Sequence, residues 1–196
     1  MTEHTERRVC VVGDALVAGV GDPKALGWTG RVAARTPGGA LFPLGVPGEA
    51  TPGLLARWEA ETSRRFADGA DNRLVVGLGR GDLADGVSLA RSRLNLANVL
   101  DDAASRDIGA LAVGPAPSAD SSSNDKVAEL ADAFADVCQR RGVPYVDCFG
   151  PLESHEQWYA DLAAGDGEHP GQAGYGLLAW LVLHGGWYSW LGLPQP

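Results

Sequence analysis

Cysteine, methionine and positive charge are all scarce in this chain of 196 residues, and no long apolar run occurs. Three cysteines, Cys10, Cys138 and Cys148, are an odd number at wide spacings. They form neither a disulfide framework nor a zinc pattern, and read as small buried apolar side chains. Lys and Arg total 16 against 25 Asp and Glu, a formal net charge of −9. That balance argues against sequence-independent binding to DNA or RNA, which depends on neutralising phosphates with basic side chains. No stretch approaches the roughly 18 apolar residues that span a bilayer, and the first residues lead into a strand rather than a secretory apolar segment. A soluble, cytoplasmic protein is expected. Neither GxxxxGK[ST] nor GxGxxG occurs, so a nucleotide-phosphate loop has no support. His155 with Glu153 and Glu156 lacks a second cluster to complete a metal coordination sphere, so no metal is expected.

What is present is a moderately apolar composition, 45% hydrophobic and 21% charged, in a chain long enough for one domain with a sizeable core. Runs rich in Val, Leu and Ile alternate with longer amphipathic stretches, the pattern of a parallel sheet covered by helices on both faces. Strands are expected at Arg8–Gly13, Ala40–Leu44, Arg73–Leu78, Ile108–Gly114 and Pro144–Cys148. Helices are expected at about Trp28–Thr36, Thr51–Phe66, Ser88–Arg106, Asn124–Arg141 and Gly171–Leu191. Asn124 reads as a helix cap, and Pro115–Ser123 as a surface loop at the carboxyl end of the fourth strand, where such sheets bind ligands. Trp180, Trp187, Trp190 and Tyr188 read as one face of the last helix, packed on the sheet, with any exposed part able to form a homodimer contact or lipid-facing patch. His4 and His184 suggest no site.

The string Gly13-Asp14-Ala15-Leu16-Val17-Ala18-Gly19 at the end of the first strand, with Gly27-Trp28-Thr29-Gly30 after it, resembles the first sequence block of the GDSL, or SGNH, hydrolases. Leu44-Gly45-Val46-Pro47-Gly48-Glu49 resembles the second block, Gly79-Arg80-Gly81-Asp82 stands where the family has Gly-x-Asn-Asp, and Asp166-Gly167-Glu168-His169-Pro170 resembles the Asp-x-x-His block. Four blocks in order over nearly the whole chain imply a single flavodoxin-like α/β/α sandwich over residues 1–196, with five parallel strands in the order 2-1-3-4-5. They also imply an ancestral ester or acyl hydrolysis that needs no cofactor, on a small-molecule or acyl ligand.

The resemblance further implies a serine nucleophile, His169 as general base and Asp166 as its orienter. At the nucleophile position stands Ala15, whose methyl group cannot form an acyl-enzyme, so ordinary serine-esterase activity is not expected. The implied oxyanion hole keeps the Ala15 N–H and Gly45, while Gly81 replaces the asparagine donor; losing such a donor typically costs ~10²–10³ in rate. An engineered serine-to-alanine change would account for Ala15 alone, whereas natural divergence accounts for both departures. Three readings stay open: a hydrolase lacking its serine; an enzyme using the His169/Asp166 dyad as base without a covalent intermediate, in water-mediated hydrolysis, isomerisation, elimination or cyclisation; and a non-catalytic ligand-binding module. Asp166 and His169 have a structural alternative as a clamp on the start of the last helix. Asp14 and Asp82 are read mainly as loop braces. Arg80 could bind a ligand carboxylate or phosphate, or point to solvent or pair with Asp82 or Asp85. Trp158 and Tyr159 are candidates to line a pocket.

Overall fold

Strand and helix patterns meet in a computed structural model that describes residues 6–195; His4 lies outside them. Five strands, β1 (Arg7–Gly13), β2 (Gly39–Gly45), β3 (Asp71–Gly77), β4 (Gly109–Val113) and β5 (Tyr145–Val146), form one sheet in the order β2-β1-β3-β4-β5. All neighbours are parallel, and Gly13 stands level with both Gly45 and Gly77. The carboxyl ends of the three strands at this side of the sheet are therefore flush, and the loops leaving them open onto one edge.

Between the strands run α1 (Ala15–Ala18), α2 (Gly27–Ala33), α3 (Thr51–Thr62), α4 (Gly81–Ala84), α5 (Leu89–Ser105) and α6 (Ser121–Arg140). After β5 come α7 (Phe149–Leu152), α8 (Glu156–Ala163) and α9 (Gln172–Val182), then a kinked segment (Leu183–Trp187), called the π turn below, whose Gly185 and Gly186 leave helical geometry, and a last short turn, α10 (Tyr188–Trp190). Alternation along β1 divides the core in two. Val9 and Val11 pack with Trp28, Leu178 and Val182 on one face, whereas Cys10 and Val12 pack with Leu96, Leu100 and Phe134 on the other. A central strand that is apolar on both faces must be covered on both, which makes a three-layer α/β/α sandwich. The three cysteines are all buried, and burial pushes the Cys10 and Cys138 thiols up to about 12. No helix among the described residues is long and apolar enough to cross a membrane.

Four local expectations are corrected. Asp120, not Asn124, caps α6, its side chain accepting from the Ser122 N–H at 3.0 Å. Asn124 instead exchanges two hydrogen bonds with the Ser118 backbone at 2.9 and 3.1 Å and holds the preceding loop down. Residues Pro115–Ser118 of that loop are consequently buried rather than on the surface. Two prolines in four residues make this tolerable, because Pro brings no backbone N–H that would need a partner. The last helix does not run to Leu191: Gly185 lies against Val146 of β5, where a Cβ would be 3.1 Å from the Val146 side chain, and Gly186 takes φ +111°. The break separates the aromatic residues, placing Trp187 wholly in the core and leaving Trp180 56% exposed. Finally, Trp158, a candidate to line a pocket, is a buried core residue that donates its indole N–H to the Pro117 carbonyl at 3.1 Å.

Candidate active site

The loop after β1 turns at Asp14, which caps α1 by accepting the Leu16 N–H at 2.9 Å. Ala15 follows as the first helical residue and is buried. Gly19 ends α1 at φ 75°, and the chain continues through Gly21, at φ +88°, pressed against His169: a Cβ on Gly21 would lie 3.0 Å from the His169 Cβ. Asp22 fixes this loop by accepting from the Gly27 N–H at 3.0 Å and pairing with Arg31 at 2.5 Å. The first strand's loop thus forms the wall on which His169 rests.

Residue 79 has to be glycine for a specific reason. A Cβ there would fall 1.7 Å from Asp14 Oδ2, so the Asp14 carboxylate occupies the space a side chain would need. Burial raises the Asp14 carboxyl above the usual carboxylate range, opposed by the Leu16 N–H and by the nearby Arg80 and His169. Asp82 braces the same region from below, accepting from the Thr51 N–H at 2.6 Å and the Thr51 hydroxyl at 2.8 Å, while Asn95 donates to that hydroxyl at 3.0 Å. This buried chain joins the starts of α3 and α4 to α5.

His169 comes from a turn that precedes α9. Asp166 accepts two backbone N–H bonds through Oδ1, from Glu168 at 2.8 Å and His169 at 2.7 Å, and its Oδ2 lies 2.7 Å from His169 Nδ1. The imidazole hydrogen bond, followed by the two backbone donors, holds the Asp166 carboxyl well below the usual range. Asp166 is not a clamp on α9: that helix begins after Gly171 with no side-chain cap, and its Gly174 N–H donates to Asp161 at 2.7 Å. An ionised carboxylate fixed on Nδ1 places the Nδ1 proton and leaves Nε2 as the basic nitrogen.

Asp14, Ala15, Arg80, Glu168 and His169 line one cavity of about 30 Å³. Arg80 bonds neither Asp82 nor Asp85; its guanidinium donates to the Glu168 carboxylate at 2.7 Å and the Glu168 carbonyl at 3.2 Å, a bridge across the mouth from the β3 loop to the histidine loop. Gly45 and Gly81, the two glycines read from the sequence as oxyanion-hole positions, are packed against neighbouring backbone. Gly45 sits beneath α1, where a Cβ would be 2.3 Å from the Ala18 N and 2.6 Å from the Asp14 carbonyl oxygen. Gly81 faces the loop after β2, where a Cβ would be 2.3 Å from the Glu49 carbonyl oxygen. That loop is anchored by Arg57, which pairs with Glu49 at 2.5 and 2.6 Å and donates to the Leu44 carbonyl at 2.8 Å. Sequence reasoning missed Glu49, Arg57 and Glu168; their contacts join residues far apart in the chain, and no periodicity marks them.

Asp14 offers a test of these electrostatics. A carboxyl raised in the folded state contributes stability below its unfolded pKa of ~3.9, and that contribution is lost as pH rises through the folded value. At pH 7 the ionised group therefore weighs against folding. Asp14→Asn keeps the cap acceptor without the charge, so its melting temperature should exceed wild type at pH 7, with the difference shrinking toward pH 4. A lower melting temperature at pH 7 would overturn this account.

The profile of the GDSL-like lipase/acylhydrolase family matches residues 11–177. Among curated proteins, none matches the chain in sequence. Solved structures share its fold, three of them as follows. A lipase/acylhydrolase from Enterococcus faecalis is 22% identical with a TM-score of 0.75, covering 97% of this chain and 98% of that one. A lipolytic G-D-S-L family protein from Veillonella parvula is 18% identical, with a TM-score of 0.76 and coverages of 91% and 97%. The acetylxylan esterase Axe2 from Geobacillus stearothermophilus is 16% identical, with a TM-score of 0.75 and 97% of each chain covered.

Proposed function

The chain belongs to the GDSL-like lipase/acylhydrolase family, and from that premise we propose that it keeps the base of an acyl hydrolase without the covalent nucleophile, so that water attacks an ester or acyl ligand directly. The observation that carries this reading is the cavity of about 30 Å³ between Ala15 and His169, large enough to admit water. Its walls supply polar partners, Arg80 and Asp14 beside the imidazole, in the space that a serine hydroxyl at position 15 would enter. In this reading Ala15 stands at the nucleophile position and Gly81 at that of the asparagine donor.

The chemistry balances without an acyl-enzyme. His169 Nε2 accepts a proton from water as its oxygen bonds to the carbonyl carbon, and Asp166 stabilises the imidazolium that forms. Collapse of the tetrahedral intermediate expels the alcohol, which takes that proton back. Wild type should hydrolyse 4-nitrophenyl acetate slowly, with no burst of nitrophenolate and no acetyl adduct in its intact mass. His169→Ala should lower the rate by ~10²-fold or more, in the usual 10²–10⁴ range for a positioned base, and Asp166→Asn should act in the same direction. An acetylated protein, or a His169→Ala variant as fast as wild type, would sink the proposal. The second result would favour a non-catalytic ligand-binding module, a reading that the Arg80–Glu168 bridge across the cavity mouth supports.

A further inference from the structure

A second concave surface, with a volume of about 410 Å³, lies on the α2 and α9 face and shares no lining residue with the cavity at His169. Its floor is Gly176 and Ala179 of α9, its apolar walls are Leu183, Tyr188 and Trp180, and its rim carries Arg31, Arg35 and His184. The walls are tied in place rather than merely adjacent. Trp187 donates its indole N–H to the Thr36 hydroxyl at 2.8 Å, and Tyr188 donates to the Arg35 carbonyl at 3.1 Å, so the chain beyond the π turn is stitched to the end of α2. Trp180, the most exposed large apolar side chain of the described residues, is held upright by stacking on His184 at a centroid distance of 4.3 Å. The His184 ring in turn bonds the Trp180 carbonyl at 2.8 Å.

Charge identifies the occupant. In a chain of net charge −9, this lining contains two arginines and no Asp or Glu. Arg31 is engaged with Asp22, but Arg35 has no ion-pair partner among the described residues; its Nη1 donates only to the Arg31 carbonyl, at 3.0 Å. A guanidinium beside an exposed tryptophan and an apolar trough complements a molecule with one carboxylate and an apolar body, and the volume lies in the small-molecule range of ~300–1,000 Å³. We propose that this groove is a binding site for an apolar monocarboxylic acid, its carboxylate on Arg35 and its chain or ring along Trp180, Ala179 and Leu183.

Gly176 supplies a clean probe, because a Cβ there meets nothing within 4 Å and would point into the groove. Calorimetric titration of the full chain with octanoate, 3-phenylpropionate and octan-1-ol tests the site. At least one acid should bind, with octan-1-ol at least tenfold weaker; a preference for octanoate would assign an aliphatic ligand, and the reverse order an aromatic one. Gly176→Leu should reduce acid binding at least tenfold while leaving the melting temperature unchanged or higher, since leucine is the better helix former. Arg35→Gln should remove the preference for acid over alcohol. His169→Ala should bind the acid as wild type does, which separates this site from the proposed reaction. If Gly176→Leu fails to fold, Trp180→Ala takes its place with the same expectation. Absence of binding by both acids at 1 mM, or binding untouched by filling the groove, would overturn the inference. So would a wild-type dimer in sedimentation that Gly176→Leu dissociates, which would assign the groove to a second copy of the chain.

Discussion

Ala15→Ser is expected to raise the hydrolysis of 4-nitrophenyl acetate by about 10²-fold and to introduce a burst of nitrophenolate, with His169→Ala removing both. A serine hydroxyl would enter the cavity lined by His169, whose Nδ1 is already fixed 2.7 Å from Asp166, so the base for nucleophile activation requires no new part. Nucleophile activation of this kind is within the ~10²–10⁴ that a positioned base contributes. The gain should stop well short of a complete acyl hydrolase. In the proposed reading Gly81 stands where the donor side chain would be, a deficit that should cost ~10²–10³. Steady-state and stopped-flow rates, with circular dichroism to verify folding, decide the matter. A folded Ala15→Ser protein with no burst and no gain would mean that residue 15 does not occupy the nucleophile position.

Restoring the donor should fail for a steric reason. Gly81→Asn places a Cβ 2.3 Å from the Glu49 carbonyl oxygen, 2.7 Å from the Glu49 carbonyl carbon and 3.0 Å from the Ala50 nitrogen, all backbone atoms. The segment cannot yield cheaply, because Arg57 holds Glu49 and the Leu44 carbonyl together at 2.5–2.8 Å. Overpacking of this sort costs about 3 kcal/mol, which in a chain of this size lowers the melting temperature by roughly 6–12 °C. Gly81→Ala should show most of the same loss, since its Cβ meets the same atoms. The double variant Ala15→Ser/Gly81→Asn should hydrolyse the ester no faster than Ala15→Ser alone. A Gly81→Asn protein as stable as wild type, with added rate in the double variant, would show that the Glu49 loop moves aside.

The strands and the two-sided core were legible because Val9 to Val12 and Leu74 to Val76 are apolar without interruption, as a central parallel strand requires, while the strand order came from the resemblance to the GDSL hydrolases. The Asp166–His169 pair was legible for a local reason: three residues of separation in a turn containing Gly167, at φ +81°, bring the two side chains together. What escaped was tertiary. Pro115–Ser118 has the composition of a surface loop, yet Asn124 and Trp158 draw it inward through hydrogen bonds that no pattern announces. The break in the last helix is set by Val146 pressing on Gly185, a contact between β5 and the π turn. For Arg80 the sequence left a ligand anion, solvent, Asp82 and Asp85 open, and the side chain found Glu168, 88 residues away.

The Glu49 carbonyl above Gly81 also governs the order in which substitutions can accumulate. A side chain should fit at position 81 only after the Arg57–Glu49 anchor has been released, so the two changes should be epistatic and the first of them should have no catalytic reward of its own. Selection for esterase activity from a library randomised at 15 and 81 should therefore yield serine at 15 and retain glycine at 81. A library that also varies Glu49 and Arg57 opens the route to a complete oxyanion hole.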